Sequence, residues 1–342
     1  MASNATSTSR RHVGAFQSSR AQKRYWIILG VLIVLALGFG LLHLAWDNPM
    51  PFGTRGFWLI AERRANALIA IVVVALCQAM ATVSFHTVTN NRIITPSIMG
   101  FESLYVAINT AAIFFLGSSG FLETQSLVAF VLKMLVMVGL SLVLYSWLLT
   151  GENNSMHAML LVGVVIGGGL GSLSTFMQRM LTPSEFDILT ARLFGSVHNA
   201  NPDFFPIAIP VCLVVSALLY LNSRKLNVIS LGRDAATNLG INHKVQAIYT
   251  LVLVSMLMAV TTALVGPMTF LGFLVATLAY QFAETYDHRF IFPVAILTGF
   301  VILTGAYFLM NHVFYAQGVV SIIIEMVGGS VFLFVIMKKG RL

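Results

Sequence analysis

Four ionisable residues stand inside or at the ends of long apolar stretches: Glu102, Lys133, Glu325 and His86. Burying a charge in lipid is costly, so each is a candidate for work, and two that faced one another across a path could couple an ion to transport in a gradient-driven carrier. Glu102 and His86 sit near stretch ends, where a side chain can snorkel to the interface and needs no such role. Lys133 and Glu325 stay open between a coupling role and pairing across helices.

Other chemistry is missing. No lysine stands in a GxxxxGK[ST] setting, so the chain has no phosphate-binding loop of its own. The eight histidines are scattered, with no HExxH and no ligand pair at helical spacing. No GxSxG nucleophile elbow occurs. The expectation is a chain that is not an enzyme, with no catalytic residue, no metal site and no cofactor bound directly.

The elements that would position such groups are membrane helices. Of 342 residues, 58% are hydrophobic and only 9% charged, more apolar surface than a soluble domain can hide. Apolar segments of membrane-spanning length recur along almost the whole chain, which makes it an all-α, polytopic membrane protein. Ten spans can be drawn, at about 26 to 45, 65 to 85, 97 to 117, 127 to 149, 156 to 177, 205 to 222, 247 to 265, 269 to 285, 291 to 310 and 319 to 337. Residues 1–25 are Ser/Thr/Arg-rich and read as a disordered tail ahead of a membrane domain at 26–342. The first span has no signal-peptidase site and reads as an uncleaved helix.

An even number of spans puts both termini on one side. With the termini inside, the inner segments hold 14 of the 20 Lys and Arg residues and the outer segments 5, which favours cytoplasmic termini. The same asymmetry accounts for the net charge of +8 without nucleic acid, since the cations form no aromatic-interleaved patch. Cys77 and Cys212 lie far apart in apolar stretches and read as core residues, not as a disulfide. Between the fifth and sixth spans, Phe186, Leu189, Leu193 and Phe194 repeat at helical spacing in a segment too polar to cross, a short helix on the outer surface.

The long polar loop at 222–246 holds an amphipathic pattern of its own. Ser230 could cap and Gly240 stop a helix over about Leu231 to Leu239, with Leu231, Ala235, Ala236 and Leu239 on one stripe and Arg233, Asp234, Thr237 and Asn238 around the rest. Such a helix would either rest on headgroups or offer a small-residue ridge to another protein. In the fifth span, Gly163, Gly167, Gly168, Gly169, Gly171 and Ser172 permit close packing or a bend beside a pathway.

Four stretches carry a resemblance: His-Thr-Val-Thr-Asn-Asn-Arg-Ile-Ile-Thr-Pro-Ser-Ile-Met-Gly-Phe ending at Phe101, Leu-Gly-Arg-Asp-Ala-Ala-Thr-Asn-Leu-Gly ending at Gly240, Gly-Pro-Met-Thr-Phe-Leu-Gly-Phe from Gly266, and Ser-Ile-Ile-Ile-Glu-Met-Val-Gly-Gly from Ser321. In order and spacing they resemble the iron-siderophore (FecCD/BtuC-type) ABC importer permeases, over nearly everything from about residue 55 onward. The resemblance implies a type II ABC importer permease-like bundle of about ten helices in a bacterial cytoplasmic (inner) membrane, moving a ferric siderophore. It implies as partners a cytoplasmic ABC ATPase dimer that binds ATP and Mg, an extracytoplasmic siderophore-binding protein, a second permease that is a paralogue or a copy of this chain, and membrane lipid, with no nucleic acid.

Residue by residue, the resemblance makes Leu231 to Gly240 a coupling helix on the ATPase, with Leu231, Gly232, Arg233, Asp234, Ala235, Ala236, Leu239 and Gly240 as contacts. Arg63 and Arg64 would dock the binding protein, Ala67 standing where a second family arginine is usual. Asn91, Arg92 and Ile93 with Ser155, Met156 and His157 would form the cytoplasmic gate. Gly167, Gly168, Gly171, Ser172, Ser321 and Glu325 would line the pathway. His86 replaces a usual Gln, and Ala276-Thr277 a usual Pro-His pair, as in a divergent branch that often pairs with a paralogue. The alternatives are a cobalamin or haem permease of the same family and, from another class, an ion-gradient-driven carrier.

Overall fold

The computed structural model describes residues 14–46, 48–123, 125–150, 156–312 and 320–339. The described residues form helices α1 (Ser19–Ala45), α2 (Arg55–Thr89), α3 (Phe101–Glu123), α4 (Leu127–Thr150), α5 (Met156–Gln178), α6 (Pro183–Leu193), α7 (Phe205–Leu221), α8 (Ser223–Ile229), α9 (Arg233–Asn238), α10 (His243–Val265), α11 (Leu271–Ala283), α12 (His288–His312) and α13 (Val320–Lys339). Eight of them, α1, α2, α3, α5, α7, α10, α12 and α13, are long and apolar enough to cross a membrane. With α4 and the short α11 they account for the ten spans expected.

Helices α2 and α10 form the centre: 78% and 72% of their apolar stretches are buried, against 17% in α1 and 22% in α13, which face outward. Small residues allow this. Ala67, Ala70, Ala75, Ala79 and Ala81 of α2 and Ala259 of α10 are all buried, and small side chains let helix backbones approach where lipid supplies no hydrophobic drive. Cys77 of α2 and Cys212 of α7 are buried free thiols whose sulfurs lie 3.3 Å apart, so core packing brings together two cysteines that the sequence holds far apart.

Several boundaries move. Helix α1 starts at Ser19, capped by the Ser18 hydroxyl, and Phe16 is buried ahead of it, so part of the segment read as tail is ordered. Helix α2 runs for 35 residues, about 52 Å at ~1.5 Å per residue, because its polar first turns through Arg64 continue the apolar span. The surface helix is present as α6. Thr182 and Glu185 cap it reciprocally, Pro183 opens it, and Leu189 is buried against Ile113 and Phe121.

Helix α11 is the short one. Its 13 residues make a rod of about 20 Å, less than the ~30 Å hydrocarbon core, so a crossing here needs non-helical backbone as well, and the largely buried loop Gly266 to Phe270 stands directly before it. Non-helical backbone at that depth must find its hydrogen bonds inside the protein.

Candidate functional site

The Gly266 loop is satisfied by a carboxylate from another span. Glu102, in the first turn of α3, accepts the Met268 N–H at 3.1 Å on Oε1 and the Thr269 hydroxyl at 2.5 Å on Oε2. The Val265 carbonyl accepts the Ser196 N–H at 2.8 Å, and the next amide, Val197, donates to the Tyr307 hydroxyl at 2.6 Å. Gly195 is obligatory there, because a Cβ would overlap the Pro267 carbonyl oxygen. Glu102 therefore does not snorkel, as its place near a span end suggested. It clamps a loop whose Met268 amide would otherwise be orphaned.

Two further helices meet at this junction. Gly100 turns with φ +100, a conformation that favours glycine, and seats the start of α3 on α5: a Cβ on Gly167 would stand 3.1 Å from the Gly100 Cα, and one on Gly163 2.9 Å from Met99. On the other flank, a Cβ on Gly328 of α13 would stand 2.6 Å from the Phe270 side chain. Half-buried Glu325 stands one turn earlier on α13. Of the residues expected along a pathway, Gly167 is therefore a packing residue, whereas a Cβ on Gly168 or Gly171 would meet open space and Ser172 is exposed. Ser172 turns its hydroxyl to the Gly168 carbonyl at 2.9 Å, and Ser321 is buried.

Lys133 and Glu325 do not pair. The Lys133 ammonium donates to Asn109 Oδ1 at 3.0 Å, 6.0 Å from the Phe121 ring centre, and the ion pairs among the described residues are Arg24 with Glu284 and Arg289 with Asp287.

The loop at 222–246 folds as an elbow of two short helices. Ser230 does not cap the second: its hydroxyl donates to the Asn227 carbonyl at 2.7 Å and closes α8. Gly232, with φ +96, makes the corner and precedes α9, so the helix expected over 231–239 is shortened to Arg233–Asn238. Gly240 stops it as expected. Its φ is +81, its amide bonds the Thr237 carbonyl at 2.9 Å and the Ile241 amide reaches Ala236 at 2.9 Å, a Schellman closure. Ala236 is fully buried, whereas Leu231 and Leu239 are 63% and 62% exposed. The stripe is split: the alanines seat the helix and the two leucines project outward, with Arg233 and Asp234 exposed beside them.

This elbow is tied to the end of α2. Asn227 of α8 donates from Nδ2 to Asp287 Oδ1 at 3.0 Å, and its Oδ1 accepts the His288 amide at 3.0 Å and meets His288 Nδ1 at 2.5 Å. His288 Nε2 meets Thr87 Oγ1 at 2.6 Å, and that hydroxyl also reaches the Val83 carbonyl at 2.9 Å. Burial pushes the Asp287 carboxyl up, but donors from Arg289 and Asn227 outweigh it and hold the group below the usual carboxylate range. Thr87, His288 and Asp287 are all buried, so a continuous polar relay joins α8, α12 and α2.

The relay ends beside Asn91, Arg92 and Ile93. Asn90 takes the left-handed conformation at φ +48, Asn91 Oδ1 accepts the Ile93 amide at 2.8 Å, and the Arg92 guanidinium lies 4.6 Å from the Tyr280 ring centre. Tyr280 also approaches His86 Nδ1 at 3.4 Å, so buried His86 is held within the bundle and does not snorkel. Of the other expected gate residues, Ser155 lies outside the described residues and Met156 and His157 open α5. At the opposite end, Arg64 donates to the Trp46 carbonyl at 2.6 Å and the Leu44 carbonyl at 3.4 Å and so caps the end of α1, while Arg63 is exposed and Ala67 buried.

Sequence reasoning missed Asn227, His288, Tyr280 and the clamping role of Glu102. A signal existed only for Glu102, as an acid in an apolar stretch; the others depend on partners far along the chain.

A profile of the FecCD transport family matches residues 11–338. The petrobactin import system permease protein FatC of Bacillus anthracis is 52% identical over 97% of this chain and 94% of its own length. The petrobactin import system permease protein YclO of Bacillus subtilis (strain 168) is 35% identical over 94% of this chain and 99% of its own length. In fold, the chain is similar to a solved ABC transporter of metal-chelate type in an inward-facing conformation, with a TM-score of 0.74 at 20% identity, covering 92% of this chain and 99% of that one. With the family profile spanning nearly its whole length and both relatives aligned almost end to end, the chain belongs to the FecCD transport family.

Proposed function

We propose that this chain is the permease subunit of an ATP-binding-cassette importer that moves an iron chelate, ferric petrobactin in particular, across a bacterial cytoplasmic membrane. The observation that carries the reading is the α8–α9 elbow: two exposed leucines on a rigidly closed helix, hydrogen-bonded through His288 to the end of α2. The extent of identity to two petrobactin import permeases supports the cargo.

On this reading the distribution of basic residues puts both termini and α9 in the cytoplasm. A partner ATPase dimer receives Leu231 and Leu239 in a cleft and supplies the ATP and Mg that the chain has no loop to bind. Closure of that dimer moves α9, the relay moves the end of α2, and the loop at Asn91 to Ile93 opens or shuts the path. Gly168, Gly171 and Ser172 of α5 face the path or a second permease, which is a paralogue or another copy. Exposed Arg63 is the better contact for a siderophore-binding protein, since Arg64 is committed to α1. Exposed ion pairs contribute only ~0–1 kcal/mol each and would orient docking more than hold it.

His288→Ala removes both ends of the relay. Its hydrogen bonds are worth roughly 1 kcal/mol each, too little to unfold the subunit, yet they are the ones that carry the relay from Asn227 to Thr87. The expected result is uptake reduced about tenfold or more, with ATP hydrolysis by the assembled complex retained. Parallel loss of hydrolysis and uptake would show that His288 serves assembly instead.

The cargo is tested by radio-iron uptake in cells with and without the gene, with iron supplied as ferric petrobactin, as other ferric siderophores and as haem, and with labelled cobalamin alongside. Loss confined to ferric petrobactin supports the proposal. Loss of haem or cobalamin uptake alone would transfer the chain to another cargo.

A further inference from the structure

The residues ahead of α1, the loop after α2 and the loop after α11 enclose a cavity of about 660 Å³ at the end of the bundle that bears α9. Its wall holds three guanidinium groups, from Arg20, Arg24 and Arg92, against a single carboxylate, Glu284. Arg24 pairs with Glu284, and Arg92 lies 4.6 Å from the Tyr280 ring centre, an arrangement that leaves its N–H edge for another partner. Arg20 adds its charge from one turn before Arg24. Among the described residues of its wall, three cations thus stand against one acid, which is paired with Arg24.

The wall is a built feature. Phe16 is buried against the rings of Tyr25 and Phe290, at 5.2 and 4.9 Å, and pairs as an isolated antiparallel bridge with Thr285. The Thr285 hydroxyl donates to the Ala15 carbonyl and the Tyr286 hydroxyl to that of Gly14, at 3.4 Å. Ordering a polar segment in this way has an entropic cost, and it sets Arg20 opposite Arg92.

We infer that this cavity binds a phosphate-bearing anion, held between Arg20 and Arg92. Guanidinium forks match phosphate oxygens bidentately, and a cavity of about 660 Å³ has room for a headgroup and not only for a bare ion. Two sources share this chemistry, an anionic lipid headgroup and a free phosphate. The lipid-facing surface of α1 begins directly after Arg24, with Trp26 and Ile27 55% and 66% exposed, which sets the cavity at headgroup depth. Neither the cavity nor its charge depends on the transport reading. A bound phosphate would tie α1 to the loop that holds Asn91 to Ile93.

The test uses the purified full chain in phosphatidylcholine nanodiscs, with phosphatidylglycerol added to the bilayer in one arm and inorganic phosphate to the buffer in another. Thermal unfolding and retention of phosphatidylglycerol in native mass spectrometry are followed. The expected result is a rise in Tm of several degrees with phosphatidylglycerol and retention of lipid that falls at least tenfold in the R20Q/R92Q variant, while the R224Q/K225Q variant, altered on α8, behaves as the parent. A Tm rise with inorganic phosphate alone, lost in R20Q/R92Q, supports the site with free phosphate as its source. Equal loss in both variants would reduce the effect to general surface charge and overturn the site. No response to either anion would overturn it too and leave the cavity wall to an acidic protein partner.

Discussion

A chain with Leu231→Glu and Leu239→Glu is expected to reach the membrane at the parent's level and to lose iron-chelate uptake almost completely. Both side chains are more than three-fifths exposed, so the subunit's own fold has little to lose from either change. Seated in a partner's cleft, a leucine contributes about 1.5–3 kcal/mol by burial, so losing two and placing two carboxylates there lowers the ATPase's affinity by roughly a hundredfold or more. Co-purification with the ATPase reads the loss directly. Ala236→Glu supplies the contrast: that side chain is fully buried, and this change is expected to reduce the amount of folded subunit. If the double leucine variant holds its ATPase and transports normally, α9 is not the coupling element.

The second large effect concerns Glu102. Glu102→Ala leaves the Met268 amide and the Thr269 hydroxyl without their acceptor at membrane depth, and each buried unsatisfied group costs ~1–3 kcal/mol. Several kcal/mol is a large part of a subunit's stability, so the expected outcome is a strong fall in folded protein and in uptake. Glu102→Gln keeps one oxygen for the Met268 amide and offers an N–H to the Thr269 oxygen, so most folded protein and most uptake should return. A Gln variant that folds at the parent's level but transports nothing would mean that the carboxylate's charge is used. That result would favour an ion-gradient-driven carrier, with Glu102 added to the groups that couple the ion.

What could be read from the sequence follows from the range of the interactions. Helices of membrane length, Gly240 as a stop and the surface helix α6 are local patterns, and they appear where spacing put them. Three of the four motifs that marked the family also meet in space, two of them around Glu102 with the Gly328 end of α13 alongside, while the motif ending at Gly240 forms the separate α8–α9 elbow. What spacing could not show was pairing between distant residues. The Glu102 clamp spans 166 positions, the His288 contact with Thr87 spans 201, and nothing near Glu102 in sequence distinguishes a clamp from a snorkelling acid. The cap that Arg64 gives α1 was hidden for the same reason, because a docking arginine and one capping a neighbouring helix look alike until the helices are assembled. Ser230 failed locally: two closures were open to it, and the corner at Gly232 selected the end of α8 over the start of α9.

The most direct test of the central claim separates the two energy sources in cells that depend on this gene for iron. Uptake of radio-iron as ferric petrobactin is measured with ATP depleted while the proton gradient is maintained, and with the gradient collapsed while ATP is maintained. A permease that takes its motion from a partner ATPase through α9 predicts that uptake stops in the first condition and continues in the second. Uptake that continues without ATP and stops with the gradient would contradict the account and make the chain a carrier working through its own intramembrane carboxylates.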